Sequence, residues 1–162
     1  MGPAESFRKV HYFAYGSNMA ADVMERLCTR PRYVGAASLP GYRLAFTRRS
    51  VKTGTGVADI VRAQGERVWG ALYEINANEL AAIDRKEGHG RAYTRVVLPV
   101  ELQADGSERM AVTYTVLSKA PAVVLPSRAY LDLMIKAARE RLLPHPYIEE
   151  LRSVTTADLR LL

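Results

Sequence analysis

Val10-His11-Tyr12-Phe13-Ala14-Tyr15-Gly16-Ser17-Asn18-Met19-Ala20 is the stretch on which the reading of this chain turns. Val10, Tyr12 and Ala14 alternate with His11, Phe13 and Tyr15, and the alternation stops at Gly16, as in a strand running into a tight turn. Ser17 or Asn18 stands where it can cap a helix. Ala20, Val23, Met24 and Leu27 follow at helical spacing and predict a helix over Met19 to Thr29 before Pro31 interrupts. The unit reads strand, polar turn, helix. Its glycine permits close backbone approach, and N–H groups at the start of a helix point outward with the positive end of the dipole behind them, which suits an anion. The same residues are also ordinary helix caps, and taken alone they say no more than that.

Outward from this unit the chain reads as mixed. Tyr42, Leu44 and Phe46 alternate with polar neighbours after a Pro40-Gly41 turn. Val57 to Val61 and Val68 to Ile75 are two further strands separated by a Gln64-Gly65 turn, while Tyr93 to Leu102 and Met110 to Leu117 flank Asp105-Gly106, a hairpin dipeptide. That makes about six strands, mostly joined for antiparallel pairing. Asn76 and Glu79 form a capping-box-like start to a helix that ends at Gly88. Ser127 caps a longer helix carrying Leu131, Met134, Ile135, Ala138 and Leu142 on one stripe, and Pro146 opens a last short helix through Leu151. The expected fold is α+β: a small, mostly antiparallel, barrel-like sheet with flanking helices.

Composition sets the bounds. With 162 residues, no repeat and no linker, one domain spanning 1–162 is expected. Hydrophobic residues make up 48% and charged residues 25%, which excludes a disordered or fibrous chain. Cys28 is the only cysteine, so there is neither an intrachain disulfide nor a thiolate metal cluster, and the cytoplasm is the expected compartment. No apolar run is long enough for a membrane helix, and the start of the chain lacks a signal-peptide pattern. Met1, Gly2 and Ser6 satisfy a loose myristoylation pattern, with Pro3 an awkward neighbour.

Glu87 is the residue that elementary electrostatics singles out. Leu80, Ile83, Asp84 and Glu87 fall at i, i+3, i+4 and i+7, which places Glu87 on an inward stripe and in the last turn, at the negative end of the helix dipole. Both effects penalise a carboxylate and raise its pKa, the environment of a general base. The alternative is a helix-terminal glutamate that turns into water or pairs with Arg85, Arg91 or Arg95. Rival chemistry has less to stand on. His11, His89 and His145 are widely separated, Gly54-Thr55-Gly56 lacks the third glycine of a dinucleotide fingerprint, and Cys28 has no adjacent base. The charge of +6 and the cluster Arg43, Arg48, Arg49, Lys52, Arg62 and Arg67 raise nucleic-acid binding, but no recognition module accompanies them and a solvated strand face is the expected reading.

Several separated motifs resemble one family. Tyr12 to Asn18 looks like the opening of the γ-glutamylcyclotransferase family. Val68-Trp69-Gly70-Ala71-Leu72-Tyr73, then Ile83-Asp84-Arg85-Lys86-Glu87-Gly88 with Tyr93, and later Pro126-Ser127-Arg128-Ala129-Tyr130 and Leu143-Pro144-His145-Pro146-Tyr147 follow in the family's order. The resemblance implies a small barrel-like α/β domain and a reaction in which a γ-glutamyl compound cyclises to 5-oxoproline, releasing an amine or amino acid. It places the catalytic glutamate on Glu87 and the substrate-holding turn on Tyr15, Gly16, Ser17, Asn18, Met19 and Ala20. Tyr93 and Tyr130 take the places of aromatic substrate contacts. The substrate's own α-amine is the nucleophile in such a reaction, so no cofactor or metal is expected. The expected partner is a small γ-glutamyl compound, with neither nucleic acid nor membrane. The resemblance admits a homodimer, for which the sequence carries no signal of its own. A pocket that binds without turnover is the alternative function, since a fold can keep its pocket and lose its reaction.

Overall fold

The computed structural model describes residues 8–158; the myristoylation-like pattern at Met1, Gly2 and Ser6 lies outside them. Strand β1 (Lys9–Ala14) leads into a 3-10 turn (Ser17–Met19) and helix α1 (Ala21–Leu27). The long strands β2 (Arg32–Arg49) and β3 (Gly56–Asn76) follow, then a 3-10 turn (Ala77–Glu79) and α2 (Leu80–Glu87). Strands β4 (Tyr93–Leu102) and β5 (Glu108–Val116) form the hairpin around Asp105-Gly106, and α3 (Arg128–Glu140) and α4 (His145–Arg152) end the described chain.

The sheet closes into a barrel in the order β1-β3-β2-β4-β5. All neighbours are antiparallel except β1 and β5, which close the barrel in parallel through Tyr12 and Val112. This is the expected mixed, mostly antiparallel barrel with flanking helices. The strand count differs. Gln64-Gly65 does not separate two strands, because β3 keeps pairing with β2 on both sides of it. Pro40 pairs Arg67 and Tyr42 pairs Arg62, so Gly41 alone on β2 faces Ala63 to Glu66 on β3. Gly41 and Gly65 both take positive φ, 82° and 83°, which absorbs the extra residues as a bulge in one continuous ribbon. The two turn signals in the sequence face each other across that ribbon.

Local signals at the helices hold with two exceptions. Leu142, expected on the apolar stripe of α3, lies beyond the end of that helix at Glu140, where it is exposed and takes a positive φ of 60°. Asn76 and Glu79 exchange both capping-box hydrogen bonds, Gly88 ends α2 in the left-handed conformation, and the Tyr130 N–H donates to Ser127 Oγ at 3.1 Å. Neither Ser17 nor Asn18 caps α1. Both lie within the 3-10 turn, and α1 begins later, at Ala21, with Ala20 in the cap position and no side-chain cap. Phe13, Met19, Met24, Leu72, Ile83, Leu131 and Met134 are fully buried, so one core joins the barrel to the turn, α1, α2 and α3. Cys28 belongs to that core, and burial, then Glu79, pushes its thiol up to about 12, as suits a packed thiol.

Candidate functional site

Strand directions decide where chemistry can gather. β1, β2 and β5 run one way and β3 and β4 the other, so the C-terminal ends of the first three share a rim with the N-terminal ends of the last two. A cavity of about 590 Å³ opens there. Its wall includes Tyr12 and Tyr15 at the end of β1, Arg48 at the end of β2, Val57 and Ala58 at the start of β3, Tyr93 at the start of β4 and Tyr114 on β5. The Gly16-Ser17-Asn18 turn, the end of α2 from Arg85 to Gly88, and Tyr130 of α3 complete it.

Glu87 reaches this cavity half-buried. Its Oε1 accepts from Asn18 Nδ2 at 3.0 Å, and the same Nδ2 lies 2.9 Å from the Tyr12 hydroxyl. Lys86 Nζ donates to Asn18 Oδ1 at 2.5 Å and to Ser17 Oγ at 3.3 Å. The Asn18 amide is therefore fixed at both ends, its oxygen on an ammonium and its nitrogen on a carboxylate. Burial raises the Glu87 pKa above the usual carboxylate value, and the Lys86 charge, the Asn18 hydrogen bond and Arg48 oppose this in part. Burial lowers Lys86, with Glu87 acting the other way. Among the described residues, no arginine takes Glu87 as a hydrogen-bond partner: Arg95 pairs instead with Asp84 at 3.6 Å.

The two downstream tyrosines meet at one peptide unit. Tyr93 donates to the Ala58 carbonyl at 2.8 Å, and the Ala58 N–H donates to the Tyr130 hydroxyl at 3.1 Å. Burial pushes the Tyr130 hydroxyl up to about 12 and lifts Tyr93 well above its ordinary value, so both stay neutral. Tyr130 accepts the Ala58 hydrogen and keeps its own hydroxyl hydrogen to donate. Behind Ala58 stands Asp59, fully buried, whose carboxylate accepts from Thr47 Oγ1 (2.7 Å), Thr115 Oγ1 (2.9 Å), the Val116 N–H (2.9 Å) and Lys119 Nζ (2.6 Å).

Of the residues expected at the site, Glu87, Tyr15, Gly16, Ser17, Asn18, Tyr93 and Tyr130 all line the cavity. Tyr15 turns its hydroxyl away, onto the Tyr114 carbonyl at 2.5 Å. Met19 and Ala20 are not on the wall. The Met19 side chain fills the core, and its carbonyl accepts from the Tyr73 hydroxyl (2.7 Å) and Arg141 Nε (3.2 Å). Sequence reasoning missed Lys86, Tyr12 and Tyr114 as site residues, and it reached Arg48 only as the start of a loop, Arg48 to Gly56, expected to flank the pocket. Arg48 had a signal: it continues the parity of Tyr42, Leu44 and Phe46, where an arginine does not belong on an apolar face.

Comparison with known proteins carries the site further. The family model described as gamma-glutamyl cyclotransferase, AIG2-like, matches residues 12–132. The chain belongs to that family. Human gamma-glutamylcyclotransferase is 28% identical over 152 residues, covering 91% of this chain and 79% of the human protein. AIG2-like protein A of Arabidopsis thaliana is 31% identical over 121 residues, 74% of this chain and 69% of the plant protein. A solved gamma-glutamyl cyclotransferase structure superimposes with a TM-score of 0.86 at 26% identity, covering 93% of this chain and 90% of the other. The region matched by the cyclotransferase family model contains every strand of the barrel except the first residues of β1, together with the Tyr15 to Asn18 turn, Glu87, Tyr93 and Tyr130.

Proposed function

We propose that this protein is a cofactor-independent γ-glutamylcyclotransferase that converts a γ-glutamyl amino acid or γ-glutamylamine to 5-oxoproline and the free amino acid or amine. The observation that carries the reading is Glu87: a half-buried carboxylate of raised proton affinity, held by Asn18 of the Tyr15 to Asn18 turn, on the wall of a cavity large enough for such a substrate. The substrate's α-ammonium gives a proton to Glu87 and becomes the nucleophile. Its nitrogen attacks the γ-carbonyl carbon, and the resulting tetrahedral intermediate collapses with cleavage of the bond to the leaving amine. The two protons lost by the α-ammonium are those that the leaving amine gains, and Glu87 relays them.

The turn supports this role. Among the described residues, no acceptor pairs the backbone N–H groups of Gly16, Ser17 or Asn18, and the 3-10 bonds begin at the Met19 N–H. These donors suit a carboxylate or a developing oxyanion, and Tyr130 adds a hydroxyl hydrogen. The test is to incubate the purified protein with γ-glutamyl amino acids and γ-glutamylamines and follow 5-oxoproline by mass spectrometry. Product from at least one compound, lost in Glu87→Gln, is the expected result. No product from any compound would leave a binding module in place of an enzyme.

A further inference from the structure

The cavity wall is unbalanced in charge. Among the described residues, Arg48, Lys52, Arg85, Lys86 and Arg91 line it against a single carboxylate, Glu87. Lys86 is engaged by Ser17 and Asn18. Arg48, Lys52, Arg85 and Arg91 form no ion pair among the described residues. Three of these four are exposed, where an unpaired cation is inexpensive. Arg48 is different: it is half-buried, its guanidinium makes neither an ion pair nor a hydrogen bond among the described residues, and its charge acts on Glu87 only at a distance. A partly desolvated guanidinium facing a cavity without a partner is a receptor for an anion.

Position identifies which anion. Glu87 and the Ser17, Asn18 and Lys86 cluster stand on the α2 side, and they engage the glutamyl end, where the α-amine must lose its proton. Arg48 enters from the β2–β3 side, opposite Val57 in the ribbon and next to the Ser50 to Lys52 loop that continues the wall. What extends in that direction is the leaving group. We infer that Arg48 is a specificity-determining residue that pairs with a carboxylate on the leaving amine, so that γ-glutamyl amino acids are favoured over γ-glutamylamines whose amine is neutral or cationic. This rests on the cyclotransferase reading above.

A matched pair of substrates separates the two. Alanine and ethylamine differ by one carboxylate, so kcat/KM for γ-glutamylalanine and γ-glutamylethylamine, both followed as 5-oxoproline, gives the preference directly. The parental enzyme should favour γ-glutamylalanine, and Arg48→Met should reduce that ratio by roughly 10-fold or more, as expected for loss of a charge-assisted hydrogen bond. Arg48→Lys should recover part of it. The difference in leaving tendency between the two amines is common to both enzymes and cancels from the comparison. An equal loss on both substrates would overturn the inference, because it would place Arg48 at the shared glutamyl end or in the support of Glu87. An unchanged ratio would overturn it as well. Absence of 5-oxoproline from both substrates with the parental enzyme would instead remove the cyclotransferase reading on which it stands.

Discussion

At the scale of residues, the cyclotransferase proposed above rests its proton chemistry on Glu87, whose proton affinity burial raises and Lys86 lowers. Replacing Glu87 with Gln should lower kcat by roughly 10²–10⁴-fold, the range for loss of a general base, while circular dichroism remains parental. The same substitution should raise the melting temperature at neutral pH. The sign follows from linkage: the folded pKa of Glu87 lies above its unfolded value, so the ionised form is penalised in the folded state and the protein loses stability as pH rises through that interval. The gap between variant and parent should close below about pH 4, where the carboxyl is protonated in both states. Lys86 holds the Glu87 pKa down against burial. Lys86→Met should therefore move the acid limb of the kcat/KM profile to higher pH, and a limb that stayed or moved lower would contradict the assigned coupling.

At the scale of elements, backbone approach and one buried carboxylate fix the geometry. Gly70 lies where β3 passes β1: a Cβ there would stand 2.4 Å from the Ala14 carbonyl oxygen and 2.8 Å from the Phe13 ring. Gly70→Ala should cost about 1–3 kcal/mol in urea unfolding, as overpacking does. Asp59 joins β3, β2, β5 and the segment carrying Lys119 just behind the peptide that holds Tyr93 and Tyr130. Lys119→Met leaves Asp59 buried with three donors, and because the lysine is itself part-exposed the expected loss is about 1–3 kcal/mol. A rise in KM should accompany it as Ala58 shifts. The helix ends at Asn76, Gly88 and Ser127 were legible because each is a local contract between a side chain and a few backbone groups. The Asp59 network was not, since its members are spread from Thr47 to Lys119 and no period or spacing connects them. The bulge at Gly65 looked like a strand end for a related reason: whether a turn residue ends pairing depends on what the distant partner strand does.

For the whole molecule, charge and closure matter most. The chain carries +6, and the cavity rim shares the sign. An anionic substrate should be steered inward, so kcat/KM should fall as salt rises while kcat changes little, a dependence measurable between low and physiological ionic strength. Glu87 and the turn could be picked out of the sequence, but the cavity could not, because it exists only where five strand ends meet on a closed barrel. That arrangement gathers the cavity residues at one rim. The Asp105-Gly106 hairpin, between the far ends of β4 and β5, lies on the opposite rim and is exposed. It offers an attachment point: a tag, a fluorophore or a second protein spliced in there would travel with the barrel without standing in the substrate's path.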